Sequence, residues 1–170
     1  PTYQDHIYKL SKKYNFKIIE DASHSLGAKY KNESVGSCKW SDISIFSFHP
    51  VKIITTFEGG VAVTNNKSIY EKLKLFLNHG ITKDKKKFKY KINKLWYYEQ
   101  QLLGLNYRMT DVSASIGLSQ LKKLKNFVNI RNNIAKKYDK LLNKKYLSTP
   151  KKTKNIYSSF HLYVVKLKEK

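Results

Sequence analysis

The chain has 170 residues, 41% of them hydrophobic and 14% aromatic, and a formal net charge of +22. That is enough apolar material for one domain with a real core, and it excludes a disordered composition. One cysteine, Cys38, excludes an internal disulfide framework and a CxxC metal site, and no apolar run approaches the ~18 residues of a membrane span.

The positive charge raises the question of a nucleic-acid partner, and the composition argues against one. Arg108 and Arg131 are the only arginines, so nearly all of the charge is lysine. Readers of nucleic acid favour arginine, whose planar fork matches bases and phosphates. No nucleic-acid or membrane partner is therefore expected. No secretory leader pattern opens the chain, so a cytoplasmic location is expected. Because the chain starts at Pro1 rather than Met, it is expected to be the central piece of a longer product.

Tyr3, Ile7, Leu10 and Tyr14 recur at helical spacing, and Pro1 suits a first turn, so residues 1–14 read as an amphipathic helix. "FKIIED" follows as a short apolar run ending in two acids, which suggests a buried parallel strand in an α/β layer. "SDISIFSF" (41–48) and "GGVAVTN" (59–65) read as two more strands. "KSIYEKLKLFLNHG" has Ile69, Leu73 and Phe76 on one helical face and Gly80 as a C-cap candidate. Residues 83–94 are a basic loop without periodicity. From Thr110 to Leu142 the pattern is helical, with Thr110 or Asp111 as the cap and Leu118, Leu121, Leu124, Val128 and Ile134 as a stripe. Pro150 and the Lys/Thr/Asn-rich stretch after it mark a linker. "SSFHLYVVKL" then begins a strand for which the sequence offers no partner.

Chemistry concentrates in "EDASH" and "SFHPVKIITTFEGG". Asp21 ends one expected strand and Ser47 another, and in open α/β sheets ligands bind at the carboxyl ends of strands. A carboxylate, His24 three residues later, Ser47 and Lys52 at one crevice suit pyridoxal phosphate. The lysine amine bonds the aldehyde covalently, the carboxylate keeps the pyridine nitrogen protonated, and a hydroxyl with backbone N–H groups holds the phosphate. Gly59 and Gly60 permit close backbone approach.

These segments resemble the sugar-nucleotide aminotransferases of the DegT/StrS type, a branch of the fold-type I pyridoxal phosphate enzymes. "EDASHSLGAKY", "SDISIFSFHPVK" with "TT" and "EGG", "NHGI" and "LGLNYRMTDVSASIGLSQLKKL" match in the same order, from about Tyr14 to Tyr163. The resemblance implies an α/β fold: part of a large domain with a mostly parallel sheet and flanking helices, then a long helix to a truncated small domain. The implied division is 1–125 for part of the cofactor-binding domain, 126–150 for the long connecting helix, and 151–170 for a linker and first small-domain strand. It implies Lys52 as the catalytic lysine that carries pyridoxal 5'-phosphate. Asp21 would pair with the pyridine nitrogen, His24 would lie near the ring hydroxyl, and Ser47 would bind the phosphate. Asn106 would reach the phosphate of a neighbouring subunit's cofactor, in a homodimer with shared sites. The implied reaction moves an amino group from an amino acid, glutamate, to C4 of a UDP-linked 4-keto-6-deoxy-N-acetylhexosamine in nucleotide-sugar biosynthesis. The phosphate loop and ring-stacking residue of the family would lie upstream of Pro1.

Structural roles stay open beside these. Asp21 can cap the next helix, Ser47 can be a satisfied core hydroxyl, and Asn106 can be a turn residue beside Gly104. Glu58 can order the loop around Lys52. His161 matches the family without a derivable role. Related sugar dehydratases carry histidine at the lysine position, and Lys52 argues against that activity. Two departures from the family pattern flank the lysine: Ile53 where proline is frequent, and Phe57 where a small residue is usual.

Overall fold

The computed structural model describes residues 2–151 and 153–168. Pro1, expected in a first turn, lies outside the described residues, as does Lys152 of the linker. Helix α1 (Gln4–Tyr14) stops where Asn15 turns left-handed at φ 53°, and strand β1 (Ile19–Asp21) follows. Strands β2 (Lys29–Tyr30) and β3 (Glu33–Ser34) form a hairpin through Lys31 and Asn32, at φ 48° and 65°. Two successive positive φ values give a turn whose twist matches that of the strands.

Strand β4 (Ile43–Ser47) and strand β5 (Gly60–Val63) complete the central sheet, in the order β1–β4–β5. β1 runs parallel to β4 with Asp21 opposite Ile45, as expected for "FKIIED", but Ile19 and Asp21 are exposed, so it is not the buried strand expected. β5 runs antiparallel to β4, with Gly60 opposite Ser47. Residues 48–59 contain no crossover helix, and a direct return can only be antiparallel. Along β4, Ser44 and Phe46 are buried while Ile45 between them is exposed, the period of a strand with one covered face. The Ser44 hydroxyl donates to Glu20 Oε2 at 2.6 Å, so this polar side chain enters the core satisfied.

Helix α2 (Lys67–Leu77) is capped by Asn66, whose side chain accepts from the Ile69 N–H. At its other end the Gly80 N–H returns to the Leu75 carbonyl at 2.7 Å, with His79 and Gly80 at φ 55° and 69°. The expected glycine cap is therefore a Schellman-type closure in which Gly80 follows a left-handed histidine. Short strands β6 (Ile81–Thr82) and β7 (Glu99–Gln100) pair antiparallel and bracket the basic loop. That loop is ordered from inside. The buried Glu99 carboxylate accepts from the Lys89 and Tyr90 N–H groups at 2.6 and 2.9 Å, and from the Tyr97 hydroxyl and Gln101 amide. Burial pushes the Glu99 carboxyl up, and these four donors outweigh it and hold it low.

The helical region after Thr110 is two helices, α3 (Asp111–Leu121) and α4 (Leu124–Leu141), broken at Lys122–Lys123. Thr110 is the cap, accepting from the Ser113 N–H. The break turns the expected stripe: Val128 and Ala135 are buried, whereas Leu118, Leu121 and Ile134 are exposed. Residues 142–150 are not helical; they contain strand β8 (Leu147–Ser148). Strand β9 (Ile156–Tyr157) pairs with β2, and strand β10 (Lys166–Leu167) pairs antiparallel with β8. The expectation that the last strand lacks a partner is thus corrected. Its strand conformation is confined to two residues, and the chain after α4 doubles back far enough to supply the other edge. The apolar face that defined α1 stays exposed, from Ile7 at 37% to Tyr14 at 63%.

Candidate active site

Parallel pairing of β1 and β4 puts their carboxyl ends side by side. Asp21 is the last residue of β1 and Ser47 the last of β4. Lys52 follows in a loop folded tightly onto β4. Its N–H donates to the His49 carbonyl at 2.9 Å, and the Thr56 N–H and Thr55 hydroxyl both return to the Phe48 carbonyl at 2.9 Å. Ile53 and Ile54 are buried beneath the lysine, at 7% and 2% exposure. Ile53 occupies the position where the resemblance favours proline, and it anchors the loop by burial instead. The loop also rests on α3, where Gln120 Oε1 accepts the Thr55 N–H at 3.0 Å. A Cβ on Gly117 would lie 2.8 Å from the Thr56 methyl, so a glycine is needed for that approach.

Phe57 has φ 67° and is 66% exposed. The small residue usual at this place therefore answers a left-handed backbone, which a Cβ disfavours by about 1–2 kcal/mol. Phe57→Gly is expected to stabilise the chain by roughly 0.5–1 kcal/mol once glycine's extra unfolded-state entropy is deducted. A denaturant midpoint that rises at constant m-value is the expected result; a falling midpoint would mean that the ring packs.

Both the N–H and the hydroxyl of Ser23 donate to Asp21 Oδ1, at 3.0 and 2.6 Å. These bonds hold the Asp21 carboxyl below the usual carboxylate range, helped by the positive fields of His24 and Lys52. The carboxylate is thus kept ionised, and Asp21 acts on the residue two ahead rather than as a helix cap. Asp21, His24 and Lys52 share one electrostatic environment. Ser47 is half-buried beside it, its Oγ accepting the His49 N–H at a long 3.4 Å. Glu58 lies 3.9 Å from His49 and is largely exposed.

Asn106 is elsewhere. It is exposed and forms an antiparallel bridge with Asn78 at the end of α2, next to the Arg108 guanidinium that donates to Asn78 Oδ1 at 2.6 Å. It makes no hydrogen bond to the Asp21–Lys52 cluster.

One residue joins the cluster without having been assigned to it. The His161 ring packs against His24 with centroids 4.4 Å apart. Burial lowers its pKa, and the charges of His24, Lys52 and Arg131 lower it further. The fold delivers it there in steps. β9 pairs with β2, Asn132 Nδ2 donates to the Ser158 carbonyl at 2.9 Å, and the Ser159 hydroxyl donates to the His24 carbonyl at 3.4 Å. Arg131 Nη1 donates to the carbonyls of Phe160 and His161, both at 3.2 Å. No spacing rule connects residues so far apart in sequence; the available signals were the family match of His161 and a lone arginine in a lysine-rich helix.

Comparison with known proteins agrees with this geometry. The model of the DegT/DnrJ/EryC1/StrS aminotransferase family matches residues 3–170. UDP-4-amino-4,6-dideoxy-N-acetyl-beta-L-altrosamine transaminase of Campylobacter jejuni is 48% identical over 164 residues, covering 96% of this chain and 41% of the relative. The solved structure of Helicobacter pylori PseC, an aminotransferase involved in the biosynthesis of pseudoaminic acid, superposes with a TM-score of 0.87 at 33% identity, covering 99% of this chain and 43% of that one. Spr1654 of Streptococcus pneumoniae, solved in a PLP form, superposes with a TM-score of 0.83 at 28% identity, covering 98% and 45%. The chain spans less than half the length of these proteins. With a family match over nearly all of its residues, a parallel β1–β4 pair and a lysine loop at that pair's carboxyl end, the chain belongs to the DegT/DnrJ/EryC1/StrS aminotransferase family.

Proposed function

We propose that this chain is the cofactor-binding part of a pyridoxal phosphate-dependent sugar-nucleotide aminotransferase. The observation that carries the proposal is the parallel β1–β4 pair, which sets Asp21 and Ser47 at adjacent strand ends with the Lys52 loop following directly. An acid kept charged, an amine and a hydroxyl at adjacent strand ends are the donor set that the cofactor requires, so the residues present fit it.

When bound, pyridoxal phosphate supplies an electron sink for moving the amino group. The protein's residues have separate tasks. Asp21 pairs with the ring nitrogen through an oxygen left over from Ser23. Lys52 Nζ would hold the cofactor and would serve to hold and move the proton at the substrate carbon. Ser47 Oγ donates to the phosphate, and His24 orients the ring from its hydroxyl side. Asn106, exposed and apart from this cluster, fits a role in the site of a second copy, in a homodimer with shared sites.

The overall reaction transfers the amino group of glutamate to C4 of a UDP-linked 4-keto-6-deoxy-N-acetylhexosamine. Its test is product analysis by mass spectrometry with the full-length enzyme, pyridoxal phosphate and glutamate. The UDP-linked 4-keto sugar is expected to gain an amino group. Amination of the matching GDP-linked sugar alone would overturn the assigned nucleotide, and amination of neither would overturn the reaction.

A further inference from the structure

His161 has two nitrogens in different situations. Nδ1 is buried and has no hydrogen-bond partner among the described residues. Nε2 makes no hydrogen bond to another described residue and is not among the enclosed atoms left without a partner. A buried N–H without an acceptor costs more than a buried lone pair without a donor. The single proton of the neutral ring therefore sits on Nε2, which becomes a hydrogen-bond donor not engaged by another described residue.

The ring is also held. Arg131 grips the carbonyls on both sides of the residue, Phe160 is left-handed at φ 45°, and His24 packs on the ring. Such a donor has little freedom to turn to another partner. Lys52 and Arg131 place positive charge around it. A fixed donor in a positive environment is complementary to an anionic oxygen.

Building on the aminotransferase reading, we propose that His161 Nε2 is a donor to the carboxylate of the amino-acid substrate, and so selects the amino donor rather than the sugar nucleotide. His24 and Ser47 serve the cofactor, and a sugar nucleotide carries its negative charge on its diphosphate, away from the reacting carbon. The carboxylate of an amino donor lies one bond from the carbon at which Lys52 would move a proton, and the Lys52 charge already acts on the His161 ring.

The test uses the full-length enzyme loaded with cofactor and three variants. His161→Gln places an amide N–H near the position of Nε2, His161→Asn places one near Nδ1, and His161→Phe keeps only the ring. Isothermal titration measures binding of α-methylglutamate, which lacks the hydrogen that transfer removes. Loss of a charge-assisted hydrogen bond predicts about tenfold or more weaker binding in the Phe and Asn variants, with Gln near wild type. Cofactor affinity, read from protein fluorescence, and amination of the keto-sugar by the amine-loaded enzyme are expected to fall by less than binding of α-methylglutamate does. Equal binding of α-methylglutamate by wild type and all three variants would overturn the inference, as would a loss confined to cofactor affinity. If the Phe variant does not fold, the contrast between Gln and Asn decides alone. Wild-type enzyme that is not converted by any amino acid would sink the aminotransferase reading itself and this inference with it, which separates the two failures.

Discussion

Lys52→Ala is expected to abolish transamination in the full-length enzyme, a loss of at least about 1000-fold. Ala offers no amine to carry the cofactor and none to move the proton at the substrate carbon. The surroundings are expected to tolerate the change, because the loop is held by Ile53, Ile54, Thr55 and Thr56 rather than by the lysine side chain. Thermal unfolding should therefore move little while activity vanishes. Borohydride treatment of wild type with pyridoxal phosphate is expected to fix a pyridoxyl group on Lys52. The chain is rich in lysine, so peptide mapping is a stringent check, and label on any other lysine would defeat the assignment.

The largest stability effect is expected at Gly80. It has φ 69°, and a Cβ there would stand 1.8 Å from the Leu102 carbonyl oxygen. That contact is with backbone, which cannot rotate away. Facing it, a Cβ on Gly104 would lie 2.1 Å from the Gly80 nitrogen, so the two glycines form one crossing. The crossing is fastened by the Gln101 N–H to the Gly80 carbonyl at 2.7 Å and the His79 N–H to the Leu105 carbonyl at 2.8 Å. Gly80→Ala is expected to cost about 3 kcal/mol or more, combining backbone strain with overpacking. Gly80→Asn separates the two causes. Asparagine tolerates the left-handed region, so if φ alone mattered it would recover most of the loss; the clash predicts that it will not. Denaturant unfolding with a midpoint near wild type for either variant would show that the chains can part at no cost.

The amino-acid sequence by itself determined the element types near the site and the residues that carry chemistry. Apolar runs ending in Asp21 and Ser47, an amphipathic segment closed at Gly80, and Thr110 before a helix are local signals, and short-range geometry reads them directly. The lysine motif and its ordered neighbours pointed to the family. Phe57 and Ile53 stood out as departures in sequence, but their meaning was structural: one sits at a positive φ and the other is buried under the loop.

Only the tertiary structure decided three further matters. The helix after Thr110 breaks at Lys122–Lys123, where no proline or glycine marks a break in the sequence. The closing segment finds its partners in β2 and β8, pairings between residues too far apart for any periodicity to reveal. The same return path carries His161 to His24 and Lys52 while leaving Asn106 at the end of α2. Hydrophobic period and caps are properties of neighbouring residues, whereas a shared site is a property of chain path, and the path follows from which faces bury each other.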